Sequence, residues 1–209
     1  MKIHNKILTI VFWDLSGFSA LCEKIKEHSF LVVEFLKEYY TKATEIIHKY
    51  NGVLDKFIGD GVMAFFGFQS RGDDHVSKYA IDAINAAIES KDSFEKIKIV
   101  WLDIWRNKIN DYDNVSIGLK CGINTGCAIV GYIPTKERDE FTAIGTHVNL
   151  ASRLEKKATG NQIIVSSYTK ERIQNQFSIK TILIESGEEI KAFEYIHEYY
   201  EVIGKVVVV

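Results

Sequence analysis

The sequence predicts a single α+β domain built on a ferredoxin-like βαββαβ core, with helices on one face of one sheet. An apolar run rich in β-branched residues at positions 7–15 is typical of a buried central strand. Two segments with helical spacing follow, and two short apolar strands then flank Gly59, Asp60 and Gly61 as a tight hairpin. A further helical segment and more strands complete the strand–helix–hairpin–helix–strand order of this core.

Apolar periodicity and turn residues set the expected bounds of each element. Asn51-Gly52 suits positive φ and is expected to end the second helix. Thr125-Gly126 is expected to turn one strand into the next, and the polar segment 133–140 to project as a loop or arm. Helices are expected at 19–27, 30–50, 74–90, 94–110, 148–157 and 167–174. Strands are expected at 7–15, 53–58, 62–66, 115–124, 127–132, 141–144, 162–165, 179–185 and 190–200, with 206–209 as an edge strand or frayed tail.

The composition indicates one domain and favours neither a polyanion-binding protein nor a membrane protein. The 209 residues suffice for one domain, and 26 basic against 28 acidic residues create no strongly basic field for nucleic acid. Three cysteines, Cys22, Cys121 and Cys127, have no metal-ligand spacing and are expected to be thiols in a reducing cytoplasm. No leader and no run long enough to span a bilayer is expected.

Two aspartates follow apolar strands and directly suggest a metal site. Asp14 ends the first strand, and Asp60 lies in the hairpin between two glycines. Burying a carboxylate alone is costly, so a divalent cation is the expected partner, and two acids on neighbouring strand ends suit magnesium and phosphate. Taken alone, Asp60 is more simply explained as a turn residue.

The residues after Asp14 add a candidate phosphate-binding segment, because a helix start presents successive backbone N–H groups. The segment consists of Ser16, Gly17, Phe18 and Ser19. Asn149 and Arg153 are four residues apart on one expected helix face, where an amide and a guanidinium can hold a ribose and a phosphoryl group. The simpler interpretation of that pair alone is a solvated polar face.

Together these stretches resemble the catalytic domain of class III nucleotidyl cyclases, the adenylate and guanylate cyclase family, over about residues 7–200. The resemblance implies the class III cyclase fold and a reaction in which a nucleoside triphosphate becomes a 3′,5′-cyclic nucleotide and pyrophosphate. It implies two Mg²⁺ or Mn²⁺ ions at Asp14, Leu15 and Asp60. It further implies that Asn149 orients the ribose, that Arg153 stabilises the α-phosphate, and that Lys56 and Thr142 contact the base.

The resemblance also implies a head-to-tail homodimer with two shared active sites. In related cyclases the metals bind one subunit, while the base, the ribose and the arginine contacts come from the other. The polar segment 135–140 matches the dimerisation arm of the family. No nucleic acid and no membrane partner is expected.

The base is left open between ATP and a pyrimidine triphosphate, CTP or UTP. Lysine with threonine at the two base positions looks like one bacterial type of adenylate cyclase, whereas a bare catalytic domain of this size resembles the cyclases of Pycsar antiviral systems. Trp13 and Tyr50 are either bulky pocket residues or simply core residues. A non-catalytic nucleotide-binding module is the alternative function.

Two positions depart from the family pattern. Thr146 stands where an acid is common, and it is expected to cap the helix of Asn149 and Arg153. Residues 184–190 are acidic where the family has a triphosphate-binding lysine, and Lys191 is a poor substitute by register.

Overall fold

The computed structural model describes residues 3–69, 75–108, 116–134, 137 and 139–206. The helices are α1 (Phe18–Lys24), α2 (Ser29–Lys49), α3 (Val76–Arg106), α4 (Thr146–Lys157) and α5 (Ser167–Ile173), with a short 3₁₀ turn at Lys26–His28. The strands are β1 (Ile3–Ser16), β2 (Gly52–Ile58), β3 (Gly61–Phe66), β4 (Gly118–Pro134), β5 (Asp139–Ile144), β6 (Ile163–Val165), β7 (Phe177–Leu183) and β8 (Glu198–Lys205).

One sheet organises the part of the chain that the structure describes. Its strands run in the order β2-β3-β1-β4-β6-β8-β7, and β5 pairs with β4 outside that path. The first four strands lie in the ferredoxin-like order β4-β1-β3-β2, and each is antiparallel to its neighbour. The predicted βαββαβ core is therefore confirmed, and β6 extends it parallel to β4.

The central strand β1 separates two hydrophobic layers because its side chains alternate between the two faces of the sheet. Val11 and Trp13 pack in the larger cluster, which also contains the buried faces of α2 and α3. Leu8 and Ile10 pack in a second cluster with Val148 of α4. The prediction that helices cover only one face is therefore wrong for α4, which lies with β5 on the opposite face.

The expected turn at Thr125-Gly126 is wrong, because β4 continues through it as one 17-residue strand. Both residues pair with β1, Thr125 opposite Thr9 and Gly126 opposite Leu8. The Thr125 hydroxyl lies 3.0 Å from that of Thr9 and stabilises the extended pairing. Gly126 is explained by packing, since a Cβ there would lie 2.2 Å from the His147 ring.

Other element bounds also differ from the prediction. The segment 133–140, expected as a loop or arm, contributes its first two residues to β4 and its last two to β5. The helices expected at 74–90 and 94–110 form one continuous helix, α3, with Ser90 and Phe94 both on its buried face. The strand expected at 190–200 begins only at Glu198, because Ala192 has φ of 68° and breaks the extended conformation. Positions 74, 109–110, 115 and 207–209 of the predicted elements lie outside the described residues.

Within the described ranges, no helix combines the length and the apolar character needed to cross a bilayer.

Candidate active site

The structure brings Asp14 and Asp60 together at one end of β1 and β3. The register pairs Trp13 with Val62, so the residue after Trp13 lies beside the hairpin. The Leu15 backbone N–H donates to Asp60 Oδ2 at 3.2 Å, which ties the hairpin carboxylate to the end of β1. A Cβ on Gly61 would lie 3.4 Å from Asp14 Oδ1 and 3.0 Å from a backbone carbonyl, so the glycine permits this close approach.

The hairpin is also anchored to α2. The Tyr40 hydroxyl donates to the Gly59 carbonyl oxygen, and the Tyr40 ring stacks on Phe57 with 4.0 Å between ring centroids. These contacts fix the turn that carries Asp60, so that its position is set by two elements rather than by the turn alone.

The two carboxylates repel each other. Burial, followed by the charge of Asp14, raises the pKa of Asp60 above its ordinary value, although hydrogen bonds from its own backbone and from Leu15 oppose the shift. Lys120 on β4 lies directly opposite Asp14 in the register, with its Nζ 2.9 Å from Asp14 Oδ2 and 2.6 Å from Glu155 Oε1. Burial alone would lower the pKa of Lys120, but these two acids outweigh it and raise the pKa.

The donor set fits a hard divalent cation. Oxygen ligands are what Mg²⁺ and Mn²⁺ prefer, and Mg²⁺ is usually held by one or two carboxylates together with substrate phosphates and water. Asp14 and Asp60 supply two carboxylates whose mutual repulsion a cation would relieve. No group of three or more His, Cys, Asp or Glu side chains occurs in the described part of the chain, so further ligands would come from Leu15, substrate or water.

The predicted phosphate-binding segment lies next to Asp14 but is partly occupied by structural contacts. The Ser16 hydroxyl donates to the Gly118 carbonyl oxygen at 3.0 Å, and Phe18 is buried in the core. Gly17 has φ of 78°, and a Cβ there would lie 2.0 Å from the Ser116 carbonyl oxygen. Ser19 is exposed in the first turn of α1. The side chains of Ser16 and Phe18 are thus committed to the fold.

Lys56 and Thr142 are brought together by a residue that sequence reasoning missed. Asp55 Oδ2 accepts hydrogen bonds from the Thr142 hydroxyl at 2.7 Å and from the Ala143 backbone N–H at 3.1 Å. Lys56 Nζ lies 3.6 Å from Asp55 Oδ1 and pairs with Glu140. The charged neighbours hold the pKa of Lys56 above its usual value despite burial. The signal for Asp55 was an acid beside a lysine in a short, otherwise apolar strand.

Asn149 and Arg153 lie on α4, on the same sheet face as Asp14. Asn149 is exposed, and Arg153 is half-buried at the edge of a cavity of about 630 Å³. Lys156 and Lys191 line the same cavity. Lys191, which the sequence predicts to be a poor substitute for the triphosphate-binding lysine, therefore lies at the same cavity as Arg153.

Trp13 and Tyr50 make structural contacts, and Thr146 does not cap its helix. Trp13 is 1% exposed and packs in the cluster with α2 and α3, as a core residue. The Tyr50 hydroxyl donates to Glu89 Oε2 at 2.8 Å. Thr146 is the first residue of α4, whose N-cap is Gly145 without a side-chain hydrogen bond, so the expected threonine cap is wrong. Of the expected arm, residues 135, 136 and 138 lie outside the described residues.

The comparisons with known proteins agree with this architecture. The model of the adenylate and guanylate cyclase catalytic domain matches residues 2–193, and the chain belongs to this family. An adenylate cyclase specific to terminal differentiation in Dictyostelium discoideum is 32% identical over 200 residues, 95% of this chain and 9% of that protein. A cytidylate cyclase of Escherichia coli is 29% identical over 143 residues, 66% of this chain and 29% of that protein.

A solved structure confirms the class III cyclase fold. The adenylyl cyclase CyaB from P. aeruginosa is 29% identical and superimposes with a TM-score of 0.84, covering 97% of this chain and 96% of that chain. The chain spans 9%, 36% and 28% of the lengths of the first three curated relatives. The similarity is therefore to one domain of those longer proteins.

Proposed function

We propose that this chain is a nucleotidyl cyclase that converts a nucleoside triphosphate to a 3′,5′-cyclic nucleotide and pyrophosphate. The observation that carries the proposal is the pair Asp14 and Asp60, held against each other by the Leu15 N–H and by the β1–β3 register. Burial and the charge of Asp14 raise the pKa of Asp60, a cation between the two carboxylates would offset this repulsion, and the family membership supplies the reaction that uses the cation.

Two Mg²⁺ or Mn²⁺ ions held by Asp14, Leu15 and Asp60 would lower the pKa of the ribose 3′-hydroxyl and neutralise the triphosphate. The remaining residues bind and orient. Arg153 would neutralise charge that develops on the α-phosphate, and Asn149 would hold the ribose. Lys120, whose Nζ lies 2.9 Å from Asp14 Oδ2, would lie beside phosphates bound at the aspartates.

Base recognition belongs to the pair Lys56 and Thr142, which Asp55 brings together. Adenylate, guanylate and cytidylate cyclases all occur among the relatives. ATP and CTP are the two of these substrates that the sequence also favours. UTP remains the third candidate from the sequence. A cyclic pyrimidine nucleotide would suit antiviral signalling of the Pycsar type.

A head-to-tail homodimer in the cytoplasm completes the proposal. Lys56 forms its ion pairs with Asp55 and Glu140, away from the metal pair, so the base and metal residues of one chain form separate groups. Apolar side chains on the β4–β5 ribbon are exposed, namely Ile129, Tyr132 and Ile144. A second copy that covers this ribbon would bury them and bring Thr142 of one chain toward the aspartates of the other.

The test is to incubate the protein with each of the four nucleoside triphosphates and Mg²⁺ or Mn²⁺, and to identify the products by mass spectrometry. The wild type should form one cyclic nucleotide and pyrophosphate in equal amounts. Asp60→Asn should lower kcat by about 100-fold or more, because it removes a metal ligand. Asp103→Asn, at an exposed position on α3, is the matched control and should leave kcat unchanged. Turnover by Asp60→Asn at the wild-type rate would contradict the proposal.

A further inference from the structure

A β-bulge places the Asp55 side chain next to Lys56 and Thr142, the two residues proposed to contact the base. Leu54 pairs with Ala64 and Lys56 pairs with Met63, so Asp55 is the extra residue between two consecutive pairs. In a regular strand Asp55 and Lys56 would point to opposite faces of the sheet. The bulge lets both side chains reach β5, where Asp55 contacts Thr142 and Lys56 contacts Glu140.

The Asp55 carboxylate is completely buried, with 0% of its side chain exposed. Its Oδ2 accepts from the Ala143 backbone N–H at 3.1 Å and lies 2.7 Å from Thr142 Oγ1. An N–H group can only donate, and an ionised carboxylate can only accept. Burial raises the pKa of Asp55, but hydrogen bonds from Thr142 and Ala143 and the charge of Lys56 oppose this shift and favour the ionised form. Thr142 therefore directs its one hydroxyl hydrogen at the ionised Asp55.

The hydrogen bond to Asp55 determines which hydrogen-bonding roles Thr142 and Lys56 can offer to a ligand. With its hydrogen directed at Asp55, the Thr142 oxygen offers only lone pairs to anything else that approaches it. Lys56 is an ammonium and can only donate. The two residues therefore present one acceptor and one donor side by side, whereas a freely rotating threonine hydroxyl would serve in either role.

The four bases differ in what they show to such a pair. Adenine and cytosine carry an amino group, which donates, next to a ring nitrogen, which accepts. Guanine and uracil carry a carbonyl oxygen, which accepts, next to a ring N–H, which donates. An acceptor at Thr142 and a donor at Lys56 match the first pattern and clash with the second.

We propose that Asp55 is a positioning residue that sets substrate specificity by locking the Thr142 hydroxyl as an acceptor, which admits the amino bases of ATP and CTP and rejects GTP and UTP. This inference rests on the proposed function and narrows its substrate. It leaves the choice between ATP and CTP to the size of the pocket, because the two bases have the same donor–acceptor edge.

A purely structural role for the Asp55–Thr142 bond makes a different prediction. Thr142 is 6% exposed, so its hydroxyl could serve only to satisfy the buried carboxylate. Removing the bond would then lower stability and reduce turnover of all four triphosphates by the same factor. If Asp55 locks the hydroxyl as an acceptor, removing the bond changes the ratio of kcat/KM between substrates. A loss of stability alone does not change that ratio.

The experiment measures kcat/KM for ATP, CTP, GTP and UTP, and their binding by calorimetry, in the wild type and three variants. The wild type should prefer ATP or CTP over GTP and UTP by about 100-fold or more, as expected for a site that leaves a buried polar group unpaired with the wrong base. Asp55→Ala frees the hydroxyl and should reduce this preference by about tenfold. Thr142→Val, which removes the hydroxyl at nearly constant shape, should reduce it similarly.

Asp55→Asn is the matched control. Its amide oxygen can still accept from both Thr142 and Ala143, so the hydroxyl stays locked while the charge beside Lys56 is lost. The preference should stay within about threefold of the wild type, even where kcat/KM falls for every substrate. A collapse of the preference in Asp55→Asn equal to that in Asp55→Ala would overturn the proposal, because charge would then be the cause.

The inference and the proposed function fail in different ways. A wild type that cyclises GTP or UTP best overturns the inference and supports the cyclase. A chain that binds the triphosphates without cyclising them overturns the cyclase, and the calorimetric ranking of the four bases then decides the inference. Unchanged substrate ratios in both Asp55→Ala and Thr142→Val would also overturn it.

Discussion

At the scale of single residues, Asp60 carries an electrostatic cost that a bound cation would offset. Burial and the neighbouring charge of Asp14 raise the pKa of Asp60, so the fold disfavours its ionised form. For a group with a raised pKa, the stabilising contribution is present below the pKa of the unfolded chain and is lost as the pH rises through the raised value. The metal-free protein therefore loses stability as the pH rises through the raised pKa of Asp60.

Replacing this one carboxylate should stabilise the metal-free protein. In Asp60→Asn the amide oxygen can still accept from the Leu15 N–H, and the repulsion with Asp14 disappears. We expect a melting temperature about 2–4 °C above that of the wild type at neutral pH in chelator, with the difference shrinking as the pH falls. Differential scanning calorimetry with EDTA measures this effect.

The same variant should lose the response to divalent cations. Mg²⁺ or Mn²⁺ binding to the folded state should raise the melting temperature of the wild type by mass action, and much less that of Asp60→Asn. Asp103→Asn should follow the wild type throughout. A wild type whose melting temperature does not respond to either cation would argue against metal binding at the aspartates.

At the scale of elements, the packing of α4 against β4 determines the geometry of the candidate active site. Gly122 lies beneath this helix, and a Cβ there would lie 2.1 Å from the Glu155 backbone nitrogen and 2.4 Å from the Ala151 carbonyl oxygen. Glu155 pairs with Lys120, and Arg153 lies on the same helix. The absence of a side chain at Gly122 thus sets how closely α4 approaches Lys120 and Asp14 on the sheet.

Adding one methyl group at this contact should displace α4. Because the clashing atoms belong to the backbone, Gly122→Ala should lower the free energy of unfolding by about 2–3 kcal/mol, and kcat should fall with it. Gly204→Ala on β8 is the matched control, since its added Cβ meets nothing within 4 Å. That change should stay within about 1 kcal/mol of the wild type. Urea denaturation distinguishes the two, and equal effects would refute the packing argument.

Elements with a strong local pattern could be predicted from the sequence, and those set by tertiary contacts could not. The apolar run of β1 and the Gly59-Asp60-Gly61 hairpin were predicted correctly because periodicity and turn chemistry are local signals. Thr125-Gly126 resembles a turn by composition, yet β1 pairs along its whole length and keeps it extended. The break at Ala192 has no turn residue to announce it.

The candidate site was predictable to a similar degree. Asp14 and Asp60 stand in distinctive local patterns, and the structure places them together. Lys120 and Asp55 were missed because their roles arise from partners distant in sequence: Lys120 faces Asp14 across β1 and β4, and Asp55 depends on a bulge. A single sequence carries no signal for cross-strand register of this kind.

At the scale of the whole molecule, the larger hydrophobic core lies on one face of the sheet and the candidate site residues lie on the other. The face with α2 and α3 holds the large aromatic core, including Phe35, Trp101 and Trp105. The opposite face holds α4, β5 and the candidate residues, over a smaller cluster. The exposed Ile129, Tyr132 and Ile144 lie on the β4–β5 ribbon, where a second copy would complete the layer.

A head-to-tail dimer predicts that two inactive variants restore each other. Asp60→Asn removes the metal residue of its own chain, and Arg153→Ala removes the phosphate residue that the same chain would lend to its partner. In a heterodimer of the two, one shared site carries both defects and the other carries neither. Random exchange of subunits puts half of the dimers in this mixed form, so an equimolar mixture should regain about a quarter of wild-type activity.

Each variant alone and the equimolar mixture are incubated at a protein concentration at which light scattering shows dimers. The rate of cyclic nucleotide formation is then measured for each sample. Mixing Asp60→Asn with an Asp14→Asn variant is the matched control and should restore nothing, since both defects fall in the metal half of the site. Recovery in the first mixture alone requires that metal and phosphate residues come from different chains. The mixture of Asp60→Asn and Arg153→Ala could instead stay inactive, although calorimetry shows both variants folded and scattering shows both dimeric. That result would mean that each chain builds its own site.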